Sequence, residues 1–173
     1  MARSRVFVDT NVLLEAFRVG AWNRFGGAYS VETVDKCVEE TQTGDRSACG
    51  RIDVPLQQLR DGLNGIHVPS KKDRAWCLLQ CRRLQTLDAG EQDLLVWLLS
   101  HENISEGRVR VTTADKAAIV ACSDLKCLDC VVSFEKLLRN CGTPDEMLGR
   151  LGTQYQEAWL SAVKTKARLG VIP

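Results

Sequence analysis

A short apolar strand that ends in an acidic residue and passes directly into a helix most constrains how this chain folds. Val6, Phe7 and Val8 form a β-branched and aromatic run, Asp9 follows them, and an apolar helical pattern begins at Asn11. Open α/β sheets build their active sites at the carboxyl ends of their strands. The start of the chain therefore predicts a carboxylate at the functional edge of a parallel sheet.

Strand-like and helical segments alternate along the rest of the chain, which predicts a mostly parallel sheet covered by helices on both faces. Further strands are predicted at 66–68, 109–113 and 131–132. Helices are predicted at 11–25, ending at Gly26-Gly27, and at 33–40, 70–84, 116–122, 134–138 and 143–168, with a very apolar helix after Asp88. We expect one α/β domain over residues 1–142 and a C-terminal helical extension over residues 143–173.

Two of these helices begin with capping signals. Asp88 and Glu91 have the spacing of a capping box, with Asp at the cap and Glu three residues later. Thr143 supplies a hydroxyl cap and Pro144 follows it at the first turn. The last helix carries an apolar face that packs on its own domain or contacts a second copy or another protein, formed by Leu148, Leu151, Tyr155 and Trp159.

Composition and charge bound the function. Apolar residues make up 45% and charged residues 26% of the 173 residues, which is typical of a globular protein. No apolar run approaches the roughly 20 residues that span a bilayer, and no signal-like stretch precedes Asp9, so we expect a cytoplasmic protein without membrane contact. The net charge of +1 argues against non-specific coating of nucleic acid, but a nuclease stays open because catalytic acids offset a basic rim.

The chain is rich in cysteine. Eight are present: Cys37, Cys49, Cys77, Cys81, Cys122, Cys127, Cys130 and Cys141. The last four suggest structural zinc, because four thiolates complete a tetrahedral site. The favoured alternative is buried thiols, since Cys130 precedes the strand-like Val131-Val132 and a second C-x-x-C is missing. A disulfide framework is not expected in a cytoplasmic chain.

Carboxylates are better candidates for chemistry than imidazoles. The two histidines, His67 and His101, have no pattern that brings them into one site, and glycine-rich phosphate loops and nucleophile elbows are missing. Asp9, Asp115 and the acids between 88 and 93 stand where helices follow parallel strands, so they converge at one sheet edge. Such a cluster stays ionised only with cations, and hard oxygen ligands favour Mg²⁺ or Mn²⁺. Two such ions activate water and stabilise the leaving oxygen of a phosphodiester.

Three segments resemble the signature regions of PIN-domain ribonucleases. They are Val8-Asp9-Thr10-Asn11-Val12-Leu13-Leu14, Leu87-Asp88-Ala89-Gly90-Glu91-Gln92-Asp93 and Val111-Thr112-Thr113-Ala114-Asp115. Val131-Val132-Ser133-Phe134 is similar to the final strand and turn of the family, and the likeness covers residues 4–140. The resemblance implies a three-layer α/β/α fold and metal-dependent cleavage of single-stranded RNA. It also implies a toxin role with a cognate antitoxin, as in VapC-like proteins, although residues 41–86 and the tail after 143 exceed a minimal toxin.

The resemblance assigns four acids to the metal ions and to catalysis. Asp9 and Asp115 match directly, and the second acid matches Glu39, with Glu40 as the alternative by a one-residue slip. The third acid matches Asp93, which precedes the apolar helix. Glu91 stays open at this position, because it shares a helix face with Leu95 and Leu98. Thr10, Asn11 and Thr113 are the predicted polar supports, together with Glu91 if Asp93 is the ligand.

Three functions follow from these residues. The first is an Mg²⁺- or Mn²⁺-dependent endoribonuclease that uses Asp9, Glu39, Asp93 and Asp115. The second is a non-catalytic PIN-like module that binds RNA or a protein. The third is another phosphoryl-transfer domain, such as a receiver or a haloacid-dehalogenase-like phosphatase, although the latter requires an acid where Asn11 stands.

Overall fold

A parallel sheet forms the centre of the molecule. The computed structural model describes residues 3–43, 52–102 and 109–171. Its strands are β1 (Arg5–Val8), β2 (Ser30–Val34), β3 (Gly65–His67) and β4 (Val109–Thr112), and Val131 adds a parallel bridge to Val111. The four strands lie in the order β3-β2-β1-β4, and each neighbouring pair is parallel.

Helices connect the strands and cover the sheet. They are α1 (Thr10–Arg18), α2 (Trp22–Ala28), α3 (Asp35–Gln42), α4 (Leu56–Gly62), α5 (Lys71–Gln80), α6 (Ala89–His101), α7 (Lys116–Asp124), α8 (Phe134–Asn140), α9 (Asp145–Leu148) and α10 (Glu157–Arg168). Short 3₁₀ turns cover Arg82–Thr86, Leu128–Cys130 and Thr153–Tyr155. Within the described ranges, no helix has both the length and the apolar character that crossing a membrane requires.

Both faces of the sheet are buried. Val6, Phe7 and Val8 of β1 have no exposed surface, and successive side chains of a strand point to opposite faces. Helix α6 packs against β2, α3 and α5, and α2 packs against β2 and α4. The predicted α/β class, with a parallel sheet between two helical layers, is therefore confirmed.

The first helical segment is divided in two. The predicted helix at 11–25 ends at Arg18 and resumes at Trp22, because Gly20 takes a left-handed φ of 77°. The predicted break at Gly26-Gly27 is wrong, since both glycines lie within α2. The predicted helix at 33–40 likewise begins later, at Asp35, because residues 30–34 form β2.

The helix predicted at 70–84 and the capping box predicted at Asp88 also need correction. Helix α5 ends at Gln80 and a 3₁₀ turn follows it. Asp88 precedes α6 but its side chain makes no capping hydrogen bond, so the predicted box is wrong. A capping box does form one helix earlier, where Ser70 and Asp73 exchange hydrogen bonds at the start of α5.

One helix is predicted over residues 143–168. The structure instead has α9, a 3₁₀ turn and α10 in this segment. Its apolar face is covered by the rest of the chain, because Leu148, Leu151 and Tyr155 are buried in the common core. Two hydrogen bonds connect the C-terminal segment to α1. The Gly152 amide donates to Glu15 Oε1 at 2.8 Å, and the Arg18 guanidinium donates to the Arg150 carbonyl at 2.5 Å. The face predicted to pack on its own domain or to contact a partner therefore packs on this domain.

The cysteines of the described ranges are free thiols. Two of the four proposed zinc ligands donate to backbone carbonyls instead: Cys130 Sγ to Cys127 O at 2.7 Å and Cys141 Sγ to Leu137 O at 3.0 Å. No group of three or more His, Cys, Asp or Glu side chains in residues 3–43, 52–102 and 109–171 is arranged to hold a metal ion. The zinc hypothesis is therefore not supported for the described cysteines, and Cys49 lies outside them.

Helices α2 and α4 pack closely at Gly62, and substitution of this glycine tests that contact. A Cβ added at Gly62 would lie 2.7 Å from the Trp22 ring, which is only 2% exposed, whereas one added at Gly27 would meet nothing within 4 Å. We expect Gly62→Ala to lower the free energy of unfolding by about 1–3 kcal/mol through overpacking. The control, Gly27→Ala in the exposed part of α2, should raise it by about 0.5–1 kcal/mol. Urea unfolding measures both, and equal effects of the two substitutions would contradict this packing.

Candidate active site

Asp9 is the most buried acid of the site. It precedes α1, where its Oδ1 accepts a hydrogen bond from the Val12 amide at 2.8 Å, and its exposed fraction is zero. Oδ2 has no donor in hydrogen-bonding geometry. Burial raises the pKa of Asp9 to about 6, although the Thr113 hydroxyl and the Val12 and Ala114 amides favour its charged form. The negative charge of Asp115 raises this pKa further.

Asp115 repeats this arrangement at the end of the neighbouring strand. It precedes α7, and its Oδ1 accepts from the Ala118 amide at 2.7 Å. Its own amide donates to Thr113 Oγ1 at 3.0 Å, so Thr113 fixes the turn between β4 and α7. Because β1 and β4 are adjacent and parallel, both capping acids stand at the carboxyl edge of the sheet, as the sequence predicts.

Glu91 joins these two acids from the first turn of α6. It is 7% exposed, and Asn11 Nδ2 donates to its Oε1 over a long 3.5 Å. Burial raises the pKa of Glu91 to about 8, and the charges of Asp115, Asp9 and Asp88 contribute to the same rise. Three carboxylates that are distant in the sequence therefore repel one another at one place in the fold.

Asp93 points elsewhere. Both of its oxygens accept hydrogen bonds from the Arg74 guanidinium of α5, at 2.6 and 2.7 Å. Two residues on a helix differ in direction by about 200°, so Glu91 and Asp93 lie on nearly opposite sides of α6. Of the two alternatives on this helix, the structure brings Glu91 and not Asp93 to Asp9.

The partners of the two side chains also distinguish Glu39 from Glu40, the two candidates for the second acid. The Glu39 side chain is 57% exposed and pairs with Lys36 at 2.9 Å. Glu40 faces the site: it accepts from Thr10 Oγ1 at 2.5 Å and from the Gly90 amide at 3.0 Å. A Cβ at Gly90 would lie 2.5 Å from Glu40 Oε2, so a side chain at this position would displace the Glu40 carboxylate. Of the two alternatives in α3, the structure brings Glu40 and not Glu39 to the residues that begin α1 and α6.

Two further residues support the site, although the sequence does not predict either of them as a site residue. Tyr155 comes from the C-terminal extension, and its hydroxyl donates to the Asn11 carbonyl at 3.2 Å. Burial raises its pKa, and the charges of Glu15 and Asp9 add to the rise. No local pattern signals this contact across the chain. Gly90 was signalled, because it stands inside the segment that resembles the second PIN signature.

The donor chemistry of the site fits a hard divalent cation. The unpartnered Asp9 Oδ2 and the mutual repulsion of Asp9, Glu91 and Asp115 are the conditions that a bound cation relieves. Carboxylate oxygens favour Mg²⁺ or Mn²⁺. Among the described residues, no group of three or more His, Cys, Asp or Glu side chains is arranged to hold a metal ion. The fit therefore rests on the chemistry of the donor atoms and not on an assembled set of ligands.

The raised pKa of Glu91 makes stability depend on pH. Its ordinary value of 4.5 rises to about 8 in the fold, so between these values the native state holds a proton that the unfolded chain releases. The contribution of Glu91 to the free energy of unfolding should therefore be complete below about pH 4.5 and be lost as the pH rises from there through about 8. Glu91→Gln should flatten this decline by on the order of 1 kcal/mol or more.

Glu39→Gln is the matched control, because Glu39 is exposed and paired with Lys36 at the surface. Urea unfolding between pH 5 and 8, without divalent cations, measures both variants. A decline that Glu39→Gln flattens as strongly as Glu91→Gln would refute the electrostatic description of this site.

Comparisons with known proteins add no relative to this picture. No protein-family model, no curated protein and no solved structure matches the chain. The functional assignment therefore rests on the geometry of the acids and on the resemblance of the three sequence segments.

Proposed function

We propose that the chain is an Mg²⁺- or Mn²⁺-dependent endoribonuclease that cleaves phosphodiester bonds of single-stranded RNA. The proposal rests above all on Asp9, Glu91 and Asp115, which come from three different elements and act on one another at the carboxyl edge of the sheet. RNA as the substrate follows from the likeness of the three segments to PIN-domain ribonucleases.

Asp9, Glu91 and Asp115 would hold the cation, with Glu40 beside them. A divalent ion bound there supplies a water of lowered pKa and stabilises the leaving oxygen of the phosphodiester. Histidine is not required for this chemistry.

The protein's own contribution is to orient these carboxylates. Asp9 and Asp115 each commit one oxygen to a backbone amide in the first turn of the helix that follows, Val12 in α1 and Ala118 in α7. The other oxygen of each is thereby held in a fixed direction, which reduces the rearrangement needed at the moment of reaction. Glu40 differs from these two acids because both of its oxygens accept hydrogen bonds, Oε2 from the Thr10 hydroxyl and Oε1 from the Gly90 amide.

The proposal includes a toxin role. Its partners would be a cognate antitoxin protein or a second copy of the chain. Because Leu148, Leu151 and Tyr155 are buried within the chain, we expect such a partner to bind another surface. The second candidate function is a non-catalytic PIN-like module that binds RNA or a protein. It is favoured by the ion pairs that neutralise Glu39 and Asp93, two of the acids that the resemblance assigns to the metal.

Substitution of single acids tests the cleavage activity. Asp9→Asn and Glu91→Gln should each lower the rate of cleavage of a single-stranded RNA oligonucleotide by at least about 100-fold, since each removes a cation ligand. Asparagine also caps helices, so the fold should survive at position 9. Asp93→Asn is the control and should stay within about fivefold of the parent, because Asp93 binds Arg74. Cleavage by Asp9→Asn at the parental rate would contradict the assignment of Asp9 as a cation ligand of a nuclease.

Calorimetric titration with Mn²⁺ separates the two candidate functions. The nuclease should bind Mn²⁺ and release protons, and Asp9→Asn should abolish the signal. A protein that binds RNA but shows no Mn²⁺ binding dependent on Asp9 would instead be the non-catalytic module. EDTA should stop cleavage only in the first case.

A further inference from the structure

Three cysteines meet at the carboxyl end of α7, the opposite end of this helix from Asp115. Cys122 lies in its last turn, Cys127 follows the helix, and Cys130 closes the next 3₁₀ turn. The geometry points to a redox modification site in which Cys127 reacts with a hydroperoxide and then forms a disulfide with Cys130. This inference does not depend on the proposed nuclease function.

The end of α7 brings Cys127 back onto Cys122. The Cys127 amide donates to the Cys122 carbonyl at 2.9 Å and the Lys126 amide to the Ser123 carbonyl at 3.0 Å. Lys126 takes a left-handed φ of 57° to allow this. These two bonds form a Schellman motif, in which the side chains at the positions of Cys122 and Cys127 commonly contact one another.

The following turn brings Cys130 to the same place. The Cys130 amide donates to the Cys127 carbonyl at 3.1 Å and its thiol donates to the same oxygen at 2.7 Å. Side chains three residues apart on a 3₁₀ turn eclipse one another, and a rise of about 2.0 Å per residue separates their Cα atoms by about 6 Å. That separation lies within the range that a disulfide bridges.

The neighbouring thiols favour a negative charge on Cys127. The thiols of Cys122 and then Cys130 lie beside its sulfur and lower the pKa of Cys127 well below its usual range. The same contacts raise the pKa of Cys122 and Cys130, which stay protonated. Lys164 of α10 is the charged group that faces these two, and its ammonium opposes part of their rise. The cluster therefore holds one thiolate beside two thiols.

The reaction balances with a hydroperoxide as the oxidant. The Cys127 thiolate attacks the terminal peroxide oxygen, the O–O bond breaks, and the alkoxide leaves and takes a proton from water to become an alcohol. Cys127 is then a sulfenic acid. The Cys130 sulfur attacks it, the S–S bond forms, the S–O bond breaks, and the hydroxide leaves with the Cys130 proton as water. Two electrons pass from the two sulfurs to the peroxide.

Cys141 provides an internal comparison. It is more exposed than Cys127, which is 8% exposed, but its thiol donates to Leu137 O at 3.0 Å. Burial raises the pKa of Cys141, so it is a thiol and not a thiolate at neutral pH. Exposure alone predicts that Cys141 reacts first, whereas the cluster predicts that Cys127 does.

The test uses the full chain with Cys49→Ser, which removes a cysteine outside the described residues. Limiting hydrogen peroxide is followed by alkylation and peptide mass spectrometry at pH 6, 7 and 8. At pH 6 Cys127 should react at least about fivefold faster than Cys141, because its larger thiolate fraction exceeds the loss of intrinsic nucleophilicity. The rate at Cys127 should change little with pH, while that at Cys141 rises about tenfold per unit.

Peptide mapping should then find a disulfide between Cys127 and Cys130. Cys122→Ser should still form it, and Cys130→Ser should instead accumulate a sulfenic acid that dimedone traps. Equal rates at Cys127 and Cys141, or a tenfold rise per pH unit at Cys127, would overturn the reactive thiolate. A Cys122–Cys127 disulfide in the parent would overturn the pairing. The parent protein alone decides both points, even if a variant fails to fold.

Discussion

The burial of negative charge at one edge of the sheet is the constraint on which the rest of the structure depends. Asp9 has no exposed surface, so its carboxylate needs donors within the chain. Helix α1 supplies them, because it begins directly after Asp9 and directs a free amide and the positive end of its dipole at the acid. Asp115 has the same solution in α7. The passage from strand to acid to helix is thus an electrostatic requirement as well as a topological one.

Support for these acids extends through elements that are distant in the sequence. Glu40 connects α3 to the start of α1 through Thr10, and to the start of α6 through the Gly90 amide. The C-terminal extension adds a third connection, because Tyr155 holds the Asn11 carbonyl in the first turn of α1. A segment that the core motifs leave unexplained therefore belongs to the architecture around the acids.

The sequence predicts well what is determined locally. The α/β class, the edge of the sheet and the positions of Asp9 and Asp115 follow from strand, acid and helix in succession. The resemblance favours Glu39, whereas the structure turns Glu40 toward the other acids. One residue turns a side chain by about 100° on a helix, and the start of α3 depends on where β2 ends. The resemblance favours Asp93 over Glu91, although the helical phase indicates Glu91. Arg74, the ion-pair partner of Asp93, comes from α5 and leaves no local signal.

The contrast between the two acids of α6 bears directly on what the site binds. Asp93 has its counter-charge within the chain, in the Arg74 guanidinium, so it gains little from an added cation. Glu91 lies among Asp9, Asp88 and Asp115, whose charges raise its pKa, and the neutral Asn11 amide is a weak compensation at 3.5 Å. Such a carboxylate is relieved either by a proton or by a cation. Protons and divalent ions therefore compete for the same oxygens, and the fold itself couples metal affinity to pH.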